Sequence, residues 1–184
     1  DGLESRGLGD VYKRQPADCS YFGLYGMNEN NIEQVVSGIN LGANLGTDVF
    51  YSGTVGAAIA GINLKYAPVA ISVCSFSPRD ISFIADKAFE LIQKFRSISL
   101  QQNSLININF PDIFKQDYKG ELYTKLAKRG APEAPNIISK NDQLSFTFSA
   151  SGDFIDGQTD TDMQAIENGY AVSYTHLRAH ETLV

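Results

Sequence analysis

The chain lacks tryptophan altogether and has only two cysteines and two histidines in 184 residues. Cys19 and Cys74 form no CxxC pair, and two cysteines imply no disulfide framework. We expect Cys19 to be a small buried residue rather than a nucleophile. No apolar run reaches the length of a membrane span, and no signal peptide is visible, so the sequence predicts a cytoplasmic protein with no membrane partner.

Basic residues are also scarce relative to acidic ones. The chain has 15 Lys and Arg against 21 Asp and Glu, which gives a formal net charge of −6. Such acidity argues against non-specific binding to a nucleic-acid polymer or to an anionic membrane. A small phosphorylated ligand is not excluded, because its binding depends on a local site.

The two ends of the chain look foreign to the rest. Residues 5–15 read SRGLGDVYKRQ, and one DNA sequence that encodes them also encodes, on its opposite strand, the string VSYTHLRAHE of residues 172–181. Two unrelated termini should not be opposite strands of one oligonucleotide. We therefore interpret residues 1–15 and 172–184 as translated adapter DNA that should pack poorly, and residues 16–171 as the domain.

This interpretation removes both histidines, His176 and His180, from the domain. A Ser-His-Asp or Cys-His mechanism and a histidine-ligated zinc site are then not available to residues 16–171. About 155 residues remain, which is enough for one domain with a real core.

Strand and helix patterns alternate along the first two thirds of the domain. We predict strands at residues 34–39, 68–73 and 105–110, and helices at 16–26 and from Ser52 or Gly53 to about residue 64. A longer helix capped by Asp80 carries an apolar stripe formed by Ile84, Ala88, Leu91, Ile92 and Phe95. This order predicts right-handed βαβ units and a mostly parallel sheet.

The pattern changes after residue 119. Residues 122–123 and 144–148 resemble strands, separated by a polar, proline-containing stretch at 128–142. We interpret this region as a β-hairpin arm. The predicted fold class is therefore α/β, a Rossmann-like three-layer sandwich with a C-terminal hairpin extension.

Residues 35–54, VVSGINLGANLGTDVFYSGT, carry most of the functional information. A strand pattern leads into a loop in which glycines alternate with small oxygen-bearing side chains: Asn40, Asn44, Asp48, Ser52 and Thr54. Such a loop at the carboxyl end of a strand suits a metal or phosphate site. A Gly/Asn-rich turn taken alone is more often only a turn. The fingerprints GxGxxG, GxxxxGK[ST] and GxSxG are absent.

As a string, SGINxGxNLGxDVxYSGTVxAA closely resembles the signature of the SurE family, the survival-protein 5′-nucleotidases. The resemblance extends to PADC at residues 16–19, PVAIS at 68–72, NIN at 107–109, TD at 161–162 and GY at 169–170. It covers nearly all of residues 16–170.

The resemblance implies a divalent metal, Mg²⁺ or Mn²⁺, with Asn40 as one ligand. It places an Asp-Asp pair and a serine ligand before Pro16, so a first strand and its carboxylate loop are missing and one side of the site should be open. It also implies that Asn44, Ser52, Gly53 and Thr54 bind the substrate phosphate, and that Asn40, Ser52 and Thr54 are the catalytic residues. These side chains should converge at the carboxyl end of the strand at 34–39.

The function that the resemblance implies is a metal-dependent 5′-nucleotidase, a phosphoric monoester hydrolase acting on nucleoside monophosphates. The parent protein should be a homodimer or homotetramer with exchanged C-terminal arms. We expect this fragment to be inactive because the carboxylates are missing. The alternative is a non-catalytic module that binds nucleotide or phosphate.

Two further groups of charged residues have simpler interpretations. The acidic residues Asp153, Asp156, Asp160 and Asp162 miss the EF-hand spacing, and we interpret them as a solvated loop and a helix cap. The resemblance at residues 161–162 also implies a structural role for Thr161 and Asp162. We interpret Lys128 and Arg129 as an exposed solubilising pair rather than as phosphate ligands.

Overall fold

A computed structural model describes residues 16–27, 31–98, 104–131, 134–140, 143–147, 152–155 and 159–175. Of the two ends that we interpreted as foreign, residues 1–15 and 176–184 lie outside the described residues. Residues 172–175 lie within them.

The helices of the described ranges are α1 (Pro16–Tyr21), α2 (Gly53–Ile59), α3 (Ile81–Arg96) and α4 (Asp162–Glu167). The prediction for α3 is confirmed: the Asp80 carboxylate accepts a hydrogen bond from the Phe83 N–H at 3.1 Å. Its predicted stripe packs into the core. Helix α2 ends earlier than predicted, because turns replace the helix after Ile59.

Helix α1 was predicted correctly in position and continues as a π-helical turn, Phe22–Gly26. Cys19 on this helix is exposed, so the prediction of a buried thiol was wrong. None of the helices in the described ranges is long and apolar enough to span a bilayer.

The strands are β1 (Val36–Leu41), β2 (Val69–Val73), β3 (Ile106–Phe110), β4 (Glu121–Tyr123), β5 (Asn136–Lys140), β6 (Gln143–Thr147) and β7 (Ala171–Thr175). Five of them form one sheet in the order β1-β2-β3-β7-β4. Strands β1, β2 and β3 are parallel, β7 is antiparallel to β3, and β4 is parallel to β7. The predicted α/β, Rossmann-like class with a mostly parallel sheet is confirmed.

Strands β2 and β3 are buried along their whole length, as expected for parallel strands covered on both faces. On one face, Ile71 and Ile108 pack against α3. On the other, Ala70 packs against Val55 and Ala58 of α2. The result is three layers, with β1 at one edge of the sheet in the part of the chain that the structure describes.

A separate two-stranded antiparallel sheet of β5 and β6 forms the arm. The prediction that residues 122–123 belong to this arm was wrong, because they lie in β4 of the main sheet, paired with β7. Strand β6 was predicted, but β5 lies inside the stretch that we interpreted as a polar connection. Its apolar core is a single Ile-Ile pair, too short to predict a strand. The hairpin leaves large apolar side chains exposed, namely Ile137, Ile138, Leu144 and Phe146.

Strand β7 corrects the expectation that residues 172–184 pack poorly. Val172 is only 1% exposed and Ser173 only 2%, and β7 lies between β3 and β4 in the sheet. Their side chains alternate between the two faces as a strand requires. At least residues 172–173 therefore pack as part of this core, whatever their origin.

Candidate functional site

The glycine-rich loop begins inside β1, and Asn40 lies in the strand rather than after it. Gly38 makes this path possible, because its φ of +129° is unfavourable for other residues. A Cβ atom at Gly38 would also lie 2.3 Å from the Ile71 carbonyl oxygen. The register between β1 and β2 shifts between Ser37 and Asn40, and Asn40 then lies beside Ser72.

The Asn40 side chain is partly buried and its orientation is defined. Its amide nitrogen donates a hydrogen bond to the Gly42 carbonyl oxygen at 2.9 Å. Within the described residues no donor is bonded to its Oδ1. The amide therefore has its nitrogen committed to the loop and its oxygen available to a ligand.

Asn44 is the residue that attaches the loop to the sheet. It is 8% exposed, and its side-chain nitrogen donates to Ser72 Oγ at 2.7 Å. Its backbone N–H donates to Asn109 Oδ1 at 2.8 Å, and its carbonyl oxygen accepts from the amides of Asn107 and Asn109, both at 2.9 Å. The contacts of Asn44 are thus structural, and the proposed contact with phosphate stays a prediction.

Asn44, Ser72, Asn107 and Asn109 together form what we call the polar layer. It lies beneath the loop, and all four residues are buried. The hydrogen bonds that Asn44 makes to the other three residues hold the loop in one conformation, and within the described residues only the Asn107 Oδ1 of this layer is buried without a partner. Sequence reasoning did not predict this role. The alternation in residues 105–110 was nevertheless a signal, since it puts Asn107 and Asn109 on one face of β3.

A second buried group holds the loop two residues later. Asp162 Oδ2 accepts a hydrogen bond from the Gly46 N–H at 2.7 Å, and its Oδ1 accepts from the Ala127 and Met163 N–H groups at 2.9 and 2.8 Å. Burial raises the pKa of Asp162, and these backbone N–H groups oppose the rise. Because Asp162 is 1% exposed, the interpretation of it as part of a solvated loop was wrong. These contacts agree with the structural role that the resemblance at residues 161–162 implies.

The helix cap that we predicted at this position is present. Thr161 Oγ1 accepts a hydrogen bond from the Gln164 N–H at 3.4 Å and caps α4. Asp160 is exposed, whereas Asp156 lies outside the described residues. No group of three or more His, Cys, Asp or Glu side chains suited to a metal occurs among the residues that the structure describes.

Ser52 and Thr54 stand at the start of α2. Ser52 caps this helix, because its Oγ accepts a hydrogen bond from the Val55 N–H at 3.1 Å and its carbonyl oxygen accepts from the Gly56 N–H. A hydroxyl that accepts in this way can still donate its proton to an anion. Helix α2 has only seven residues, and the N–H groups of Val55 and Gly56 are bonded to Ser52. The predicted binding of phosphate at this helix start stays a prediction.

Gly53 has a neighbour that the sequence did not reveal. A Cβ atom at Gly53 would lie 3.3 Å from Cγ of Pro16, so the first residue of α1 lies against the start of α2. Absence of a side chain at Gly53 therefore serves this close packing as well as any approach of a phosphate.

The structure places the predicted residues on one face of the sheet. Asn40 lies beside Ser72 on the neighbouring strand, and the Asn44 side chain donates a hydrogen bond to Ser72 Oγ. Ser52 and Thr54 begin α2, which covers that same face. A cavity of about 330 Å³ lies elsewhere, between β4 and α4, and none of the predicted site residues lines it.

Arg129 corrects the interpretation of an exposed basic pair. Its guanidinium forms an ion pair with Asp48 at 2.8 Å and donates to the Gly152 carbonyl oxygen at 3.2 Å. It also stacks on the Phe154 ring, with 4.0 Å to the ring centroid. Arg129 thus connects the 3-10 turn Gly46–Tyr51, which contains Asp48, to residues 152–154.

Comparison with known proteins identifies the family of the chain. The family model described as Survival protein SurE matches residues 9–133. Relatives named 5′-nucleotidase SurE from Pseudomonas savastanoi pv. phaseolicola and Ectopseudomonas mendocina are 37% and 38% identical over 168 residues, covering 91% of this chain and 67% of each relative. The chain thus spans about two thirds of their length.

A solved structure, that of the SurE protein from Aquifex aeolicus, superposes with a TM-score of 0.72 at 28% identity and covers 88% of this chain and 66% of that one. Sequence, family model and fold agree over most of the domain. The chain therefore belongs to the survival protein SurE family.

Proposed function

We propose that the protein is a metal-dependent 5′-nucleotidase that releases phosphate from nucleoside monophosphates. The observation that carries the proposal is the orientation of Asn40. Its amide nitrogen is bonded to the loop, so its oxygen is presented to a ligand at the carboxyl end of β1, where α/β folds bind their ligands.

Support also comes from the relatives, which bear the name 5′-nucleotidase SurE. Ser52 and Thr54 are the residues that we assign to phosphate binding, with their hydroxyl groups donating to phosphate oxygens. The polar layer keeps the loop in place before substrate arrives, which lowers the cost of ordering it in the transition state.

The residues present fit the metal only in part. Asn40 Oδ1 is a hard oxygen ligand of the kind that Mg²⁺ and Mn²⁺ prefer. The described residues offer no group of three carboxylate, histidine or cysteine side chains to complete the coordination. We therefore propose that Asn40 is one ligand of the metal, and that the others are the Asp-Asp pair and the serine that the family resemblance implies.

A second candidate function is a phosphate- or nucleotide-binding module without catalysis, which needs no further metal ligands than the described residues provide. Both functions predict that phosphate compounds bind at Ser52 and Thr54. They differ in whether Mg²⁺ or Mn²⁺ permits turnover. The inactivity that we expect of this 184-residue chain stays a prediction.

The test is phosphate release from adenosine 5′-monophosphate, with Mg²⁺ or Mn²⁺ and with a chelator, by the chain and by the parent protein that carries the missing strand. We expect metal-dependent turnover from the parent, abolished by Asn40→Ala and unchanged by Asn136→Ala on the exposed hairpin. Binding without turnover in the parent would favour the binding module. Full activity of Asn40→Ala would show that Asn40 is no ligand.

We also propose that the parent protein is a homodimer or homotetramer. The exposed apolar residues of the β5–β6 hairpin support this, because an isolated hairpin with such a surface is marginally stable in water. Light scattering after size-exclusion chromatography tests it, and a monomer would contradict it. The cytoplasmic location and the absence of nucleic-acid and membrane partners stay predictions from the sequence.

A further inference from the structure

Two aromatic side chains near the glycine-rich loop are almost fully exposed: Tyr51 is 90% and Phe76 is 85% exposed. A single exposed aromatic residue needs no explanation by itself. What distinguishes Phe76 is its position, since it lies in the loop that leaves the carboxyl end of β2 and leads into α3.

The Phe76 ring lies against the glycine-rich loop beside Asn40. A Cβ atom placed on Gly42 would be 3.2 Å from Phe76 Cε1 and 3.8 Å from the amide nitrogen of Asn40. The ring and the Asn40 side chain thus lie within 4 Å of the same point. Any side chain at position 42 would meet the ring, so glycine at this position keeps the ring in contact with the loop.

The loop that presents Phe76 is held at both ends. The Cys74 N–H donates to the Phe110 carbonyl oxygen at 2.9 Å, and the Ser77 N–H donates to Ser75 Oγ at 3.2 Å. Further along, the Arg79 N–H donates to Asp112 Oδ1 at 2.8 Å. An aromatic ring on an anchored loop is preorganised, so a ligand that stacks on it has little ordering entropy to overcome.

Within the described residues, Phe76 takes part in no ring–ring or cation–π contact. Its exposed face is uncharged, planar and without a hydrogen-bonding group. That surface suits another planar ring, and stacking of this kind tolerates every nucleobase because each has a π face.

We propose that Phe76 is the stacking platform for the base of the nucleoside monophosphate whose phosphate binds at Ser52 and Thr54. The proposal rests on the proposed function, because it assigns the base subsite of that same site. In a nucleoside 5′-monophosphate only the ribose separates base from phosphate, so the base has to lie close to the loop. The Phe76 ring lies beside Asn40 and Gly42 of that loop. Tyr51, which directly precedes Ser52, is the competing candidate, and the test below includes it.

The test compares adenosine 5′-monophosphate with ribose 5-phosphate, which has the same phosphate and no base. Titration calorimetry and ligand-detected NMR at millimolar ligand measure binding to the 184-residue chain without requiring turnover. We expect the nucleotide to bind about 5- to 150-fold more tightly than ribose 5-phosphate. Its base protons should shift upfield on binding, as stacking on a ring requires.

Substitutions of Phe76 distinguish a contribution of aromatic stacking from that of a merely bulky apolar side chain. Phe76→Ala and Phe76→Leu should bind adenosine 5′-monophosphate only as weakly as ribose 5-phosphate, without an upfield shift of the base protons. Phe76→Trp should retain both the tighter binding of the nucleotide and the upfield shift. Phe89→Ala is the matched control, since Phe89 is 63% exposed on the outer side of α3. Phe76→Ala should fold normally because so little of the ring is buried, and its thermal midpoint checks this.

The outcomes distinguish this proposal from the one on which it rests. If ribose 5-phosphate binds but Phe76→Ala leaves nucleotide affinity unchanged, the base platform is wrong and the phosphate site stands. A loss confined to Tyr51→Ala also overturns the assignment to Phe76. If adenosine 5′-monophosphate, ribose 5-phosphate and inorganic phosphate all fail to bind, the proposed phosphate site is wrong, and so is the base platform that depends on it.

Discussion

Replacing Asp162 should destabilise the protein more than any other single carboxylate change in the described chain, because Asp162 joins three segments. Its two oxygens accept backbone N–H groups from Gly46, Ala127 and Met163. The Ala127 carbonyl oxygen in turn accepts from the Thr47 N–H at 3.1 Å. Asp162→Ala removes every one of these carboxylate contacts.

The magnitude follows from the groups left behind. Asp162→Ala leaves the Gly46 and Ala127 N–H groups buried without an acceptor, at about 1–3 kcal/mol each. The same change removes the desolvation cost of a buried carboxylate, which offsets part of this loss. We therefore expect the free energy of unfolding to fall by about 2–5 kcal/mol. Asp162→Asn keeps one acceptor oxygen but turns an NH₂ group toward a donor, and should cost about 1–3 kcal/mol.

The assay is urea denaturation at neutral pH followed by circular dichroism, with hydrogen exchange of the Gly46 and Ala127 amides as a local measurement. Asp160→Asn is the matched control, since Asp160 is exposed and its φ of +58° suits asparagine. It should lie within about 0.5 kcal/mol of the parent chain. Equal stability of Asp162→Asn and the control would refute the reasoning, since the carboxylate would then not be holding its donors.

The remaining predictions concern the start of α2, the polar layer and the two thiols. Ser52→Ala should lower stability by about 1 kcal/mol through loss of the cap, as well as weaken phosphate binding, whereas Ser52→Asp should keep the cap but repel phosphate. Asn109→Ala should cost about 1–3 kcal/mol in urea denaturation, because it leaves the Asn44 N–H without its acceptor. Burial raises the pKa of Cys74 to about 12, so at pH 8 only about 10⁻⁴ of it is thiolate, and Ellman's reagent should titrate the exposed Cys19 alone.

Each of these has a result that would contradict it. Ser52→Asp that binds phosphate as the parent chain does would remove Ser52 from the phosphate site. Unchanged denaturation of Asn109→Ala would mean that the loop does not depend on the polar layer. Two thiols reacting rapidly in the native protein at pH 8 would show that Cys74 is accessible.

Sequence reasoning predicted the elements whose signals are local. Helix α3 carries both its cap and its apolar stripe within one segment, and β2 is a short run rich in apolar residues between clear breaks. The candidate loop was likewise predicted, because its glycines and small polar residues are contiguous. These features need no knowledge of the rest of the chain.

The distant residues that hold the loop in place could not be predicted in the same way. Asp162 binds Gly46, which is 116 residues earlier in the chain, and a carboxylate beside a helix start resembles an ordinary solvated cap when read locally. Strand β7 was not predicted, because residues 172–175 were interpreted as translated adapter DNA rather than as part of the domain. Val172, Tyr174 and Thr175 are residue types that favour a strand, but the position of this strand between β3 and β4 depends on tertiary pairing.

The polar layer has a consequence for protein engineering. Because Asn44 is held by side chains from β2 and β3, the conformation of the loop is encoded partly in residues outside it. Transplanting residues 38–54 onto another parallel sheet would give a loop without its supports. A working graft would have to carry the serine of β2 and both asparagines of β3 to matching register positions in the host.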